Sequence, residues 1–388
     1  MMDGQALYDY SPLLRMLVVG AAVAIGPLAW VWLRSRRESG AGRVLALTTL
    51  TLFLTFDLVL FGAFTRLTDS GLGCPDWPGC YGSASPFGAG QAIAKAQEAM
   101  PSGPVTLSKA WIEMIHRYLA MAVGALILVL AAVNWLERKR LNIAWQWSVL
   151  TLVWVCLQGA FGALTVTMKL FPAVVTLHLL GGMVLLALLR FQAVRLRPVH
   201  HGRALAQLPS NTKQWVWVLF VLVWLQIALG GWVSTNYAVL ACQDFPTCQG
   251  VWWPAMDWHA GFELWRELGE RGSGEGLPFP ALTAIHYGHR LMAYAVLLAL
   301  VLVAWRLRKT SGHWRQAGVL LVLAGWQLGT GLSNVVLGWP LVAAVGHTAG
   351  AAAMVVVLTG WLAQYGVASG NPIRDFPTTR LHSMETVA

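Results

Sequence analysis

Apolar residues are grouped along this chain in nine blocks, separated by short polar stretches or by longer loops. Each block is about 20 residues long or longer, which is the length that an α-helix needs to cross a bilayer. The blocks therefore predict nine membrane-spanning helices, at 13–33, 44–65, 111–135, 145–167, 172–194, 215–235, 281–305, 317–336 and 340–365. We expect an all-α integral membrane protein.

Composition and charge agree with a membrane protein. Of the 388 residues, 57% are hydrophobic and only 11% are charged, whereas soluble domains carry about 25% charged residues. The net charge of +10 does not indicate nucleic-acid binding, because the basic residues gather in every second loop between spans. This positive-inside pattern places those loops in the cytoplasm. It predicts a bacterial inner-membrane protein with its N-terminus and the intervening loops in the periplasm and its C-terminus in the cytoplasm.

The spans after the first form two copies of one unit. Gly62 lies twelve residues before Cys74, as Gly230 lies twelve before Cys242. Copies with four spans each keep the same orientation, so we expect two tandem four-helix bundles related by a pseudo-twofold along the membrane normal. The first span is an extra N-terminal transmembrane helix. The predicted units are 1–43 (leader helix and basic loop), 44–200 (first repeat), 201–366 (second repeat) and 367–388 (cytoplasmic tail).

Four histidines recur near the outer ends of alternate spans: His116, His178, His289 and His347. A single intramembrane histidine usually bonds to nearby backbone, but four at matched depth are harder to explain in that way. Two histidines facing each other in a four-helix bundle make an axial pair for haem. We expect one pair in each half, and expect small residues nearby (Gly181, Gly182, Gly346 and Gly350) to let a flat macrocycle approach, although helix packing explains glycines as well.

Arg117 and Arg290 follow two of these histidines directly. Both are candidates to pair with haem propionates near the outer surface. The alternative is that they reach towards lipid headgroups.

The two halves differ beside the histidines. Glu113 lies one helical turn before His116, and His286 occupies its place in the second half. A carboxylate there can transfer a proton beside a reacting haem substituent, so the first half is the expected reaction site. His286 is a possible relay. Asp57, which has Leu225 as its counterpart, is either a proton relay or a helix-packing partner.

Each of the two long outer loops contains a Cys-x5-Cys pair. In an oxidising compartment these predict the local disulfides Cys74–Cys80 and Cys242–Cys248. A redox-active pair is the sharper alternative, and a zinc site is disfavoured because the spacing is not a usual zinc pattern. Cys156, inside a span, is expected to be a small buried apolar residue.

These motifs resemble the heme A synthase family of cytochrome oxidase assembly proteins. The resemblance rests on FGAFTRLTDSGLGCPDWPGC, EMIHR, QGAFGALT, TLHLLGG, QGVWWPAMDW and AIHYGHR, which together extend over all eight repeated spans. It implies oxidation of the C8 methyl group of heme O to a formyl group by successive hydroxylation, which gives heme A for terminal oxidases. Glu113, His116 and His178 would form the substrate haem site, and His289 and His347 would ligate a haem b cofactor. The extra first span departs from the eight-helix pattern of the family.

Other classes of protein remain open. A di-haem cytochrome b that only transfers electrons uses the same four histidines but needs no role for Glu113. A transporter with parallel repeats predicts broken helices at the midplane, and a disulfide-exchange protein leaves the histidines unexplained. Expected partners are heme O and membrane lipid, with a heme O synthase and an electron-transfer partner as further candidates; no nucleic acid is expected.

Overall fold

The computed structural model describes residues 11–141, 143–196 and 208–367. Within them, nine helices are long and apolar enough to cross a membrane, which confirms the predicted spans. They are α1 (Ser11–Arg34), α2 (Gly40–Leu67), α4 (Leu107–Leu136), α5 (Gln146–Thr167), α6 (Pro172–Leu196), α7 (Ser210–Thr235), α9 (Phe279–Lys309), α10 (Trp314–Val336) and α11 (Leu341–Val367). The outer loops add two helices that the apolar pattern did not predict, α3 (Gly90–Ala99) and α8 (Trp258–Gly261).

Local sequence signals set several helix ends. The Ser39 side chain accepts a hydrogen bond from the Gly42 N–H at the start of α2, and Thr106 accepts one from the Lys109 N–H at the start of α4. Such caps satisfy backbone donors that the first helical turn leaves unpaired. Three basic residues close α9, where they complement the negative end of the helix dipole: Arg306, Arg308 and Lys309.

Each half is a closed ring of four helices. In the first half, α2 contacts α4, α4 contacts α5, α5 contacts α6, and α6 returns to α2. In the second half, α7, α9, α10 and α11 follow one another in the same cyclic order. Contacts of α6 with α7 and α11, and of α2 with α11, join the halves through one shared apolar core. The pseudo-twofold relation, the division into domains and the tail at 367–388 stay predictions; residues 1–10, 197–207 and 368–388 lie outside the described part.

The extra helix α1 packs against α4 and α2 of the first half. Gly20 lies so close to α4 that a Cβ there would be 2.5 Å from the Cβ of Met121. Only glycine permits this approach. The first half thereby has a fifth helix against its outer side that the second half does not have among the described residues.

Candidate functional site

A cavity of about 960 Å³ lies between the helices and reaches both halves. All four repeated histidines line it, together with Glu113. Its walls are mostly apolar, and α1 contributes Met16, Leu17 and Ala21 to the first-half side. The volume is at the upper end of the range for small-molecule and cofactor sites.

Each of the four imidazole rings lies against a glycine of a neighbouring helix in its own half. A Cβ built on the glycine would lie close to Cε1 of the ring: 3.0 Å for Gly62 and His116, 3.6 Å for Gly162 and His178, 3.0 Å for Gly230 and His289, and 3.3 Å for Gly331 and His347. At the two shortest distances a larger residue would displace the imidazole. The glycines therefore set the position of the rings in the cavity.

These are not the glycines expected from the sequence. Gly181 lies against the Gln158 side chain, and Gly350 lies against Trp326 and Gln327. Two of the glycines beside the rings were missed, although a signal was present: Gly162 and Gly331 each lie sixteen residues before their histidine.

The second-half histidines have the spacing that one metal ion requires. The ring centroids of His289 and His347 are 6.4 Å apart, and the rings are nearly perpendicular, at 79°. An imidazole nitrogen lies about 2 Å from a bound metal ion and its ring centre about 1 Å further, so two opposed ligands have centroids roughly 6 Å apart. This donor pair fits a haem iron.

The Nδ1 atoms of the two pairs have different surroundings. In the second half, Thr330 Oγ1 is 3.0 Å from Nδ1 of His347. Gln226 Nε2 lies near both ring nitrogens of His289, 3.1 Å from Nδ1 and 3.3 Å from Nε2. In the first half, Nδ1 of His116 and Nδ1 of His178 are buried without a hydrogen-bond partner in the described part of the chain. The protein itself thus supplies no polar group at Nδ1 of either first-half ring.

Glu113 is buried and engaged through both carboxylate oxygens. Oε1 pairs with Nη2 of Arg117, one helical turn away, and Oε2 accepts a 2.8 Å hydrogen bond from the Cys74 N–H. The structure thus brings Glu113 and His116 to one cavity, with the carboxylate also tied to the disulfide loop.

His286 has the corresponding contacts in the second half. Its Nδ1 is 3.0 Å from the Ala238 carbonyl, and its Nε2 accepts a 3.3 Å hydrogen bond from Nε of Arg290. Unlike Glu113, His286 is not among the residues that line the cavity.

The two arginines bind backbone carbonyls of the loops that cover each half. Arg117 donates to the carbonyls of Asp76, Pro78 and Gly79 at 2.6–3.1 Å. Arg290 donates in the same way to three carbonyls of the second loop at 2.8–3.0 Å: Cys242, Asp244 and Thr247. This anchoring role was not predicted, because a sequence does not show which distant carbonyls meet a guanidinium. The contact of these arginines with propionates stays a prediction.

Both loops are closed in the same way. Cys74 pairs with Cys80 and Cys242 with Cys248 at disulfide distance, as predicted. Inside the second loop, the Asp244 carboxylate accepts hydrogen bonds from the Thr247 hydroxyl and from the N–H groups of Gln249 and Gly250. These donors lower the pKa of Asp244 to about 2. Asp76 accepts the equivalent pair of N–H bonds in the first loop.

The exposure of Cys156 and Asp57 differs from what the sequence interpretation expected. Cys156 is exposed and lines the cavity, so the prediction of a buried apolar residue is wrong. α5 turns this side of its surface towards the open interior. Asp57 is exposed on α2 and does not line the cavity, so the structure does not bring it to the histidines.

Arg66, at the end of α2, is a cavity-lining residue that the sequence interpretation did not single out. It donates a 2.7 Å hydrogen bond to the Ser234 carbonyl at the end of α7 and lies over the Tyr237 ring. It therefore joins the outer ends of the two halves beside the cavity.

Among the described residues, nine apolar helices, two four-helix rings and a shared cavity lined by the repeated histidines define a multi-pass membrane protein with a repeated internal site. Residues 43–359 match the COX15-CtaA model, described as cytochrome oxidase assembly protein. The chain belongs to this family. The extra helix α1 lies outside the matched range.

Curated relatives extend over most of the chain. The heme A synthase of Shewanella oneidensis is 39% identical over 315 residues, which are 80% of this chain and 93% of the relative. The heme A synthase of Halalkalibacterium halodurans is 28% identical over 77% of this chain and 89% of its own length. The heme A synthase of Hyphomonas neptunium is 26% identical over 90% of this chain and 96% of its own.

Proposed function

We propose that this protein is a heme A synthase that oxidises the C8 methyl group of heme O to a formyl group. The observation that carries the proposal is the pair of histidine sites on one cavity, with an acidic neighbour in only one of them. The family and the names of its curated relatives support the same activity.

The first half is the reaction site. His116 and His178 hold heme O as substrate from opposite sides, and the glycines beside them keep the rings back so that a flat ring system fits between. Helix α1 packs against this half, and the disulfide loop Cys74–Cys80 is held over it by hydrogen bonds with Arg117 and Glu113.

Glu113 is the proton-transfer group. Conversion of a methyl group to a formyl group with oxygen from water removes four electrons and releases four protons, so the site needs a proton acceptor. Glu113 lies on the cavity one turn from His116, and Arg117 with the Cys74 N–H keeps its carboxylate in place. A positioned acid–base group of this kind contributes about 10²–10⁴-fold in rate.

His289 and His347 hold a haem b cofactor in the second half. When bound, that haem supplies one-electron redox chemistry for moving electrons away from the substrate. His286 and Arg290 are engaged with the second loop, as the corresponding residues are in the first. Both disulfide loops face the periplasm of a bacterial inner membrane, and an electron-transfer partner accepts the electrons.

Expression in a host that makes heme O but lacks heme A tests the proposal. Haem extracted from membranes with and without the protein is separated by chromatography. We expect heme A only when the protein is present. Two equivalents of one unmodified haem, with no heme A, would instead support the electron-transferring cytochrome b.

A further inference from the structure

The second-half ligands have polar neighbours that the first-half ligands lack. Thr330 lies beside His347, and the residue at the corresponding position of the first half is Phe161. Each comes one residue before the glycine that lies against the ring. Gln226 lies beside His289, and its counterpart is Leu58. The halves therefore keep the same histidines and the same glycines but differ in the residues at these two neighbouring positions.

The hydrogen bonds of Thr330 determine the tautomer of His347. Thr330 Oγ1 donates to the Trp326 carbonyl at 2.7 Å, so its single proton is used within α10. Towards His347 the hydroxyl has only lone pairs to offer, at 3.0 Å from Nδ1. With that proton donated to Trp326, the contact with Nδ1 is a hydrogen bond when Nδ1 carries the proton, and this tautomer leaves the lone pair of His347 on Nε2. Nε2 is the atom that can bind a metal ion.

Such a contact strengthens a ligand in two ways. It fixes the ring in the tautomer and orientation needed for binding, and it makes the ligating nitrogen more basic. Loss of a hydrogen-bond partner behind a ligating histidine typically lowers metal affinity 10–100-fold. His116 and His178 have no such partner within the described residues.

We infer that Thr330 is a positioning residue that fixes His347 for permanent haem binding, and that Phe161 in its place lets the first half release its haem. The inference rests on the proposed function, since it assigns a resident haem to the second half and an exchanging one to the first. An active site must release its product after each catalytic cycle, so it must bind substrate and product reversibly. A cofactor site does not release its cofactor and is better served by tight binding. The difference between Phe161 and Thr330 contributes to this division.

The test compares Thr330→Val with Ser333→Ala in the full-length, haem-loaded protein. Ser333 is a matched control, because it lies one turn further along α10 and its hydroxyl bonds only to the Gly329 carbonyl, at 2.8 Å. Haem loss to excess apomyoglobin is followed by absorbance, and the redox midpoint of the remaining haem is measured. We expect Thr330→Val to lose haem about 10–100-fold faster and to show a higher midpoint, because a less basic ligand stabilises ferric iron less well. Thr330→Ser and Ser333→Ala should match the wild type.

An unchanged rate and midpoint in a well-inserted Thr330→Val protein would overturn the inference. If that variant does not insert, Phe161→Thr is tested in its place. It should slow haem release from the first half about 10-fold or more, and unchanged release would overturn the inference.

His347→Ala distinguishes a failure of the inference about Thr330 from a failure of the proposed function. If His347→Ala retains the resident haem, the haem assignment itself is wrong; if it loses the haem while Thr330→Val does not, only the role of Thr330 is wrong.

Discussion

The two halves show how a duplicated membrane bundle can keep one framework and change its chemistry. Both have a histidine pair, a glycine behind each ring, an arginine bound to loop carbonyls and a disulfide that closes the loop. They differ at many positions, and three of these lie beside the histidines or correspond to residues that do. Glu113 becomes His286, Phe161 becomes Thr330, and Leu58 becomes Gln226.

These differences suit the two halves to different chemistry. The first half has a carboxylate on the cavity and unpartnered Nδ1 atoms, which suit proton transfer and reversible binding. The second half has the Thr330 hydroxyl 3.0 Å from Nδ1 of His347, a contact that suits stable binding. Under the proposed function, positions beside the histidines, and not the histidines themselves, separate the reaction site from the cofactor site.

The largest expected effect follows from removing a second-half ligand. His289→Ala or His347→Ala should eliminate most of the low-spin b-type absorbance, because a bis-histidine site loses one of its two axial ligands. His116→Ala should leave that absorbance in place while heme A formation stops. Purified protein is compared by absorbance per inserted molecule. Full b-type absorbance in both second-half variants would mean that the halves are not divided in this way.

Glu113→Gln should have the next largest effect. The amide keeps shape and polarity but cannot cycle a proton, so heme A formation should fall by about 10²–10⁴-fold. The haem at His289 and His347 should remain, and heme O or a hydroxylated intermediate should accumulate. His286→Gln is the matched control in the second half and should retain most of the activity.

Haem composition by chromatography, normalised to inserted protein, measures this effect. Wild-type heme A yield in a well-inserted Glu113→Gln variant would contradict the catalytic role. Glu113 would then serve only to hold Arg117 and the Cys74 N–H.

The disulfides should matter for stability more than for chemistry, and by similar amounts in both halves. Closing so short a loop stabilises a protein by roughly 2–3 kcal/mol in the chain-entropy model. Replacing Cys74 and Cys80 together by Ala, or Cys242 and Cys248, should lower the yield and the unfolding temperature. Activity per folded molecule should change little. A large loss of activity in only the first-half double variant, with stability unchanged, would indicate a redox-active pair instead.

The smallest effect should be a pH dependence of the second loop. Because hydrogen bonds lower the folded-state pKa of Asp244 to about 2, its contribution is complete above the unfolded value of about 4 and is lost as pH falls towards 2. Reduction of Cys242–Cys248 by a phosphine should therefore accelerate over this range. Asp244→Asn should remove the extra acceleration at low pH. Identical pH profiles of the reduction rate for wild type and variant would contradict this role of Asp244.

The apolar pattern by itself determined the membrane architecture. All nine spans were predicted, because a bilayer requires about 20 apolar residues in each crossing and this constraint is local. The duplication, the four histidines and both cysteine pairs were also visible, since repeated spacing survives in the sequence. Family membership followed from the same motifs.

Only the tertiary structure decided what surrounds each functional group. It placed Gly162 and Gly331 against imidazole rings, directed Arg117 and Arg290 to loop carbonyls, turned Asp57 away from the cavity and turned Cys156 towards it. These contacts join residues on different helices or loops, and their partners depend on how each helix is rotated in its ring. Periodicity along one helix does not contain that rotation, because it is set by packing between helices.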